Sequence, residues 1–562
     1  MSTAAGVGDG PTSATRAVPA GDEGADVQYV PEDEPRASGP GWSVIDLSFA
    51  LALGVVAVVT RRHVLPHDGL FGDDAWQALG AMHASPAHFL TVGFSGPGFT
   101  AVLSVWHTIA RRPEALADVA FAAGVLGPAV FYLVLRRIGN HRSICLLIGS
   151  ALAAERLNII YSGRVKSYVI DALVVLGLAA VVSRFARRRW NWRVTLVWVV
   201  GAVLIGFFSP FALLAAVVAG VLLLVRPCND IAYRFVGVGA QGFVYVILSL
   251  EVRRTYDVTA LQQWWQRTHD GFIVSRGQPF GLVSQTFIHL RRVAAVFSGG
   301  PPWWATLCLG ASIGVLILDA VVHDRSAQTL RAQFLVLLLL AAVVGGLTKV
   351  LPFGPTRDGA RLSLWLVPVF AIGTARFLTR LRDAVARRRV GSVAFDAVAV
   401  LAALLIAVYA ATDSPRYLES GAQSATNFIE ARLAPTSVVF VDHENGVYPY
   451  AVATHLHAAV RAQYAKVAFW PQFDDPRIHY LAFTGPSGAD LLLTAPPDAL
   501  HPHNVVGAIG NATEVFLYLV APNNVTRSGT PGFASLLRNL GFGPAQSVRF
   551  DNARVLAWHR HN

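Results

Sequence analysis

The 562 residues predict an α-helical, polytopic membrane protein that carries a small α/β domain at its C-terminal end. Three observations lead there. Hydrophobic residues make up 54% of the chain and charged residues only 14%, with a mean hydropathy of +0.47, whereas soluble domains carry roughly 25% charge. The apolar residues fall in blocks near the ~20 residues that cross a bilayer. Asp and Glu are scarce inside those blocks, as the cost of burying charge in lipid demands.

Residues 1–41 are rich in Gly, Ala, Pro, Ser, Asp and Glu and predict a disordered cytoplasmic tail. The first apolar block begins near Trp42, which reads as a signal-anchor helix rather than a signal peptide. Spans are predicted at 42–60, 116–135, 142–157, 167–183, 194–208, 211–226, 234–251, 302–321, 332–350, 362–380 and 391–411. The apolar stretch 97–110 is shorter and opens on Gly96-Pro97-Gly98. Charge parity decides its status. The basic loops are Arg136/Arg137/Arg142, Arg184 to Arg193, Arg226/Arg234, Arg325/Arg331 and Arg376 to Arg389. They share one side only if 97–110 does not cross, because cytoplasmic loops collect Arg and Lys. It is therefore read as interfacial or re-entrant. This gives about eleven spans across residues 42–411 of a plasma-membrane protein, with the N-terminus cytoplasmic and the C-terminal part extracytoplasmic. The external segments are then 61–115, 158–166, 252–301, 351–361 and everything after 412.

Residues 412–562 are not membrane-like. Ser437–Asp442, His479–Thr484, Asp490–Thr494 and Val515–Val520 read as strands. Ser547–Phe550 and Arg554–His559 flank Asp551-Asn552 as a hairpin. Helix-like stretches lie between some of these strands, so an extracytoplasmic α/β domain is expected.

The net charge of +11 follows the basic loops, and no groove-reading motif accompanies it, so nucleic acid is not an expected partner. Cys145, Cys228 and Cys308 have neither disulfide nor zinc spacing. No Walker-type run and no GxGxxG after a strand is present.

Three external segments carry candidate chemistry. The first is Phe71-Gly72-Asp73-Asp74-Ala75-Trp76, just beyond the first span. Adjacent acids can divide labour: one takes a proton from a hydroxyl while the other orients the acceptor or binds a cation. The plain alternative is that one of them caps the helix holding Trp76 and Leu79, and both can hold. The second runs from Tyr161 through Ser162, Gly163, Arg164, Val165, Lys166, Ser167 and Tyr168 to Asp171 and enters a span from the outer face. Cations outside run against the topological rule, and Arg and Lys both suit phosphate; snorkelling at a helix end is the plain alternative. The third, Leu351 to Leu362, is a Gly/Pro-rich turn bearing Arg357 and Arg361, which could be an ordinary tight turn. One acid pair with two cation pairs suits transfer from a lipid phosphate to a hydroxyl.

In these motifs, and in their order and sidedness over residues 42–411, the chain resembles the GT-C superfamily of polyprenyl-phosphate-sugar glycosyltransferases. Its pattern is similar to bacterial relatives of protein O-mannosyltransferases and to aminoarabinose transferases. Those have an Asp-Glu or Asp-Asp pair in the first external loop, here Asp73-Asp74. They have an amphipathic stretch like Pro97 to Trp106, a Tyr-Ser segment with Arg or Lys like Tyr161 to Tyr168, and a late Pro-Phe-Gly segment like Pro352-Phe353-Gly354 with Arg361 and Pro368. The resemblance implies a GT-C-like fold, Asp73 as general base, and Asp74 as the residue that orients the acceptor. It implies Arg164, Lys166, Tyr168 and Arg361 at the donor phosphate, with Arg357 competing for that role. The second Asp, where Glu is commoner, also occurs in some actinobacterial arabinosyltransferases, so mannose and arabinose both stay open.

The expected activity is an inverting transfer of a hexosyl or pentosyl group from a polyprenyl-phosphate sugar to an envelope glycan, glycolipid or protein hydroxyl. No cofactor is expected, and a divalent cation beside Asp73 and Asp74 is the alternative left open. The rival readings are a non-catalytic envelope scaffold, for which the acid pair would be dispensable, and a transporter, which would place ionisable residues mid-membrane. Trp264-Trp265 reads as an interfacial anchor, and Asp442-His443-Glu444 as a loop after a strand.

Overall fold

The apolar blocks form helices because a chain surrounded by lipid must satisfy its backbone groups internally. The computed structural model describes residues 42–83, 96–225, 230–255, 258–275, 280–299, 301–322, 326–386, 389–416, 420–442, 445–454, 460–464, 469–473, 475–484, 490–495, 499–503, 505–521 and 524–561. The predicted tail, 1–41, lies outside the described residues. The helices are α1 Val44–Arg61, α2 Gly72–His83, α3 Pro97–Ala110, α4 Asp118–Arg137, α5 Arg142–Ala154, α6 Arg156–Ser162, α7 Tyr168–Arg187, α8 Trp192–Phe208, α9 Pro210–Val225 and α10 Ile231–Thr255. They continue with α11 Val258–His269, α12 Gly281–Ser298, α13 Pro302–Val321, α14 Ala327–Leu347, α15 Val367–Val385 and α16 Arg389–Thr412. A 3₁₀ segment, Arg357–Leu366, leads into α15.

Among the described residues eight helices are long and apolar enough to cross a bilayer, and the bent pair α5–α6 makes a ninth. With the shorter apolar helices α8 and α9 they occupy the eleven segments expected. The protein is thus an α-helical, multi-pass membrane protein. Its first span opens with a reciprocal cap: Ser43 Oγ accepts from the Asp46 backbone N–H, and Asp46 accepts from the Ser43 backbone N–H.

Two departures from the expected spans matter. The third is not straight. The backbone breaks at Glu155 with a 59° bend, and the Glu155 carboxylate accepts from the backbone N–H groups of Leu157 and Asn158 to start α6. The ninth span begins at Ala327 rather than 332, which takes Arg331 out of the basic loop and into the helix.

Helix α3 has 14 residues, about 21 Å at 1.5 Å per residue, short of the ~30 Å hydrocarbon core. It does not stand as a separate span. It packs on α2 and α8, with Phe99 and Leu103 in one cluster with Leu79 and Phe208.

The five segments expected outside meet at one end of the bundle. Ser414 Oγ donates to the Thr60 carbonyl and Ser420 Oγ to that of Asp68. The Phe353 and Thr356 N–H groups donate to the carbonyls of Gly271 and His269.

Beyond the bundle, α17 Ala422–Glu430, α18 Val447–Thr454, α19 Val505–Ile509 and α20 Asn524–Asn539 flank a sheet. Its strands are β1 Ser437–Asp442, β4 Ile478–Thr484, β5 Asp490–Ala495, β6 Ala499–His503, β7 Glu514–Val520, β8 Gln546–Phe550 and β9 Ala553–His559. They run in the order β6-β5-β4-β1-β7-β9-β8, with β1 parallel to β4 and β7 and the other pairs antiparallel. A separate hairpin pairs β2 Val460–Tyr464 with β3 Phe469–Phe473. Alternate residues of β7 face opposite cores: Val515, Leu517 and Leu519 pack with Phe533 and Leu537 of α20, and Phe516, Tyr518 and Val520 with Ala425 and Ile429 of α17. Burial on both faces is why the central strands read as unbroken apolar runs.

Candidate active site

Helix α2 starts at Gly72, so Asp73 and Asp74 both lie in its first turn, where carboxylates complement the helix dipole. Successive residues on a helix are rotated by about 100°, and the two acids accordingly face different surroundings. Asp74 turns inward and is fully buried. Its Oδ1 accepts from the Val165 backbone N–H at 3.2 Å, and its Oδ2 lies 2.7 Å from Arg164 Nε. Asp73 turns outward and keeps 55% of its side-chain surface, and its Oδ2 lies 3.3 Å from Arg361 Nη2.

Arg164, Lys166 and Tyr168 arrive from the turn between α6 and α7. Gly163 lets that turn press on the first loop, since a Cβ there would stand 1.8 Å from the Val64 carbonyl oxygen. Arg164 also lies over the Phe71 ring. Lys166 is only 6% exposed. Loss of hydration pulls its ammonium below the ordinary lysine range, opposed by Asp73 and Asp74 and reinforced by Arg361 and Arg164. Tyr168 packs edge-on against Tyr161, with ring centroids 5.5 Å apart.

Arg361 is carried by the 3₁₀ segment. Its guanidinium lies over the Tyr161 ring, 5.9 Å from the centroid, and hydrogen-bonds Tyr168. The turn before it is pinned at Gly354, whose φ of +56° suits glycine and whose Cβ position would fall 2.5 Å from the His289 carbonyl oxygen. His289 Nδ1 in turn lies 2.6 Å from the Phe353 carbonyl. The Arg357 side chain lies outside the described residues, as do His443 and Glu444. Asp442 accepts from the Asn445 N–H in the loop after β1.

The result is one half-exposed carboxylate facing a group of cations at the membrane-proximal end of an apolar bundle. Burial by the surrounding protein pushes Asp73 up, but Lys166, Arg361, Arg164 and His269 outweigh it, so its carboxyl sits below the usual range. Among the described residues no group of three or more His, Cys, Asp or Glu side chains is placed to hold a metal ion.

Sequence reasoning missed two participants. Tyr161 lies within one of the motifs, where nothing in the sequence points to its ring. His269 lies some two hundred residues beyond Asp73 in the chain. Its ring packs against Trp264 and Trp265, each centroid 4.9 Å away, so these indoles also brace the site. Trp76 on α2 meets Tyr448 on α18, which ties the sheet-bearing region to the acid pair.

No family model and no curated protein matches the chain. Similar solved structures include ArnT from Cupriavidus metallidurans bound to undecaprenyl phosphate, with 14% identity, TM-score 0.49, and 92% of this chain and 98% of that one covered. The oligosaccharyltransferase AglB from Archaeoglobus fulgidus, in complex with an inhibitory peptide and a dolichol-phosphate, gives 12% identity, TM-score 0.46, and coverage of 84% and 69%. The arabinosyltransferase EmbB from Mycobacterium smegmatis gives 13% identity, TM-score 0.31, and coverage of 75% and 43%.

Proposed function

We propose that the protein moves a sugar from a polyprenyl-phosphate donor to a hydroxyl of an envelope glycan, glycolipid or protein on the extracytoplasmic face. The observation that carries this reading is Asp73, half-exposed and 3.3 Å from Arg361, beside the buried Lys166. A base and a phosphate-binding cation group then stand within one sugar's reach of each other at the end of the bundle.

In the proposed step the acceptor hydroxyl gives its proton to Asp73 and its oxygen bonds to the anomeric carbon. The bond from that carbon to the phosphate oxygen breaks, and the pair leaves on the lipid phosphate. One displacement inverts the anomeric centre. Lys166 and Arg361, with Arg164, stabilise the charge on the leaving phosphate. Binding of the donor also tunes the base, because a phosphate that takes up these cations removes the influence holding Asp73 low and makes it a better proton acceptor. Asp74 acts indirectly in this scheme: it holds Arg164 and the Val165 backbone in place rather than meeting the acceptor. No metal is invoked, since each carboxylate already faces a cationic side chain.

The test is transfer by the purified full chain in lipid, wild type against Asp73→Asn, with polyprenyl-phosphate mannose and arabinose as donors and membrane extract of the source as acceptor. Transfer lost in a folded variant supports the base. Transfer that survives moves the base elsewhere. No transfer by wild type across a broad donor and acceptor panel favours a scaffold.

A further inference from the structure

At the end of the bundle opposite Asp73, a half-buried positive charge has no counter-ion among the described residues. Arg331 stands in the first turns of α14, where that helix packs against α7 and α15. Its Nε is shielded from solvent and has no hydrogen-bond partner, and among the described residues its guanidinium makes no ion pair. The side chains that act on it most strongly are all cations: Arg187 and Arg184 from the last turns of α7, and Arg376 from α15. Asp319, on the neighbouring α13, is committed to other partners. It pairs with Arg376 at 3.3 Å and with Arg380, and also accepts from Gln328.

Basic residues are expected at a cytoplasmic boundary, but that rule asks only for exposed charge. Arg184 and Arg187 meet it, being exposed. Arg331 does not. Shielding a guanidinium among like charges is costly unless something negative pairs with it. The site also lies by the start of α14, the helix end that favours anions.

We infer that Arg331, with Arg184, Arg187 and Arg376, forms a binding site for a phosphate-bearing anion at the membrane boundary opposite the Asp73 site. A phosphate suits it because its oxygens accept from several guanidinium forks at once. The phosphate can belong to an anionic phospholipid headgroup or be free in solution.

The experiment uses the full chain in nanodiscs of phosphatidylcholine alone, of phosphatidylcholine with phosphatidylglycerol, and of phosphatidylcholine with inorganic phosphate in the buffer. Thermal midpoints and phospholipid retained in native mass spectra are read for wild type and Arg331→Gln. The expected result is that phosphatidylglycerol raises the wild-type midpoint and that one molecule is retained per chain, with retention about tenfold weaker in the variant, the size of one lost charge-assisted hydrogen bond. Stabilisation by inorganic phosphate instead supports the site and assigns it to a free anion. In phosphatidylcholine alone Arg331→Gln should be no less stable than wild type, because an unneutralised charge has gone. Should Arg331→Gln fail to fold, the exposed pair Arg184→Gln/Arg187→Gln is used and should weaken the same response. If neither anion shifts the wild-type midpoint, or if Arg331→Gln lowers it equally in all three settings, the inference is overturned.

Discussion

Asp46 and Asp73 are both aspartates in the first turns of helices, and both meet arginine, yet their surroundings are opposite. Asp46 is 2% exposed and saturated. It accepts from the Ser43 N–H and hydroxyl, the Tyr132 hydroxyl, Arg136 Nε at 3.0 Å and Arg142 Nε at 2.9 Å. Those partners bolt α1 to α4 and α5. Asp73 is 55% exposed, with a 3.3 Å contact to Arg361. A carboxylate whose lone pairs are all taken fixes structure. One that is half-exposed and held by a single loose contact keeps lone pairs open, and in the proposed scheme it can take a proton once a donor phosphate draws its cations away.

The sharpest break in the comparison is to neutralise each acid. Asp73→Asn should lower kcat by a factor of about 10² to 10⁴, the usual share of a general base, while the chain still melts like wild type. Asp46→Asn should do the reverse. Leaving Arg136 and Arg142 around a neutral amide should lower the melting midpoint, since two cations lose their shared carboxylate, with turnover per folded molecule retained. Thermal melts and turnover measured on the same preparations decide. A variant that loses both properties together would erase the distinction between the two ends.

A smaller effect tests the cations. Arg361 spans Asp73, the Tyr161 ring and Tyr168, and a lysine cannot reproduce a planar fork. Arg361→Lys should raise KM for the lipid-phosphate donor by about tenfold, one charge-assisted hydrogen bond, with little change in acceptor KM. A rise confined to acceptor KM would place Arg361 on the wrong substrate. Asp74→Asn should produce a similar donor defect at second hand, by loosening Arg164.

The contrast between the acids was only half legible beforehand. Two carboxylates in so apolar a chain, and cations where topology disfavours them, single out Asp73, Asp74, Arg164, Lys166 and Arg361. Which acid faces outward was not legible, because neighbours on a helix are told apart only by what packs on each side, and the packing of α2 comes from Val165, Phe99 and Ala451. His269 was invisible for a related reason: its position depends on closure of the long segment before Leu351. In the sheet, β1 and β7 announced themselves by unbroken apolar runs. Strands β3 and β6, Phe469–Phe473 and Ala499–His503, each contain a proline, which argues against a strand in sequence and is tolerated at an edge or in a hairpin. The bend at Glu155 was hidden because a lone acid within an apolar run gives no sign that it caps a second helix.

The smallest predicted effect is in the pH profile, and its sign follows from the cations. Asp73 is held below the usual carboxylate range in the free protein, so the acidic limb of kcat/KM should lie below about 3.9, the ordinary aspartate value. Once a donor phosphate takes up Lys166 and Arg361, that influence weakens, and the acidic limb of kcat should move to higher pH than that of kcat/KM. At the other end of the profile Lys166 is drawn down by its burial, so donor affinity should begin to fall below about 10.4, where an ordinary lysine would titrate. Lys166→Arg should remove that alkaline limb, because a guanidinium does not titrate there. Acidic limbs that coincide for kcat and kcat/KM would mean that the cations do not tune Asp73. Asp73 and Asp46 would then differ in exposure alone.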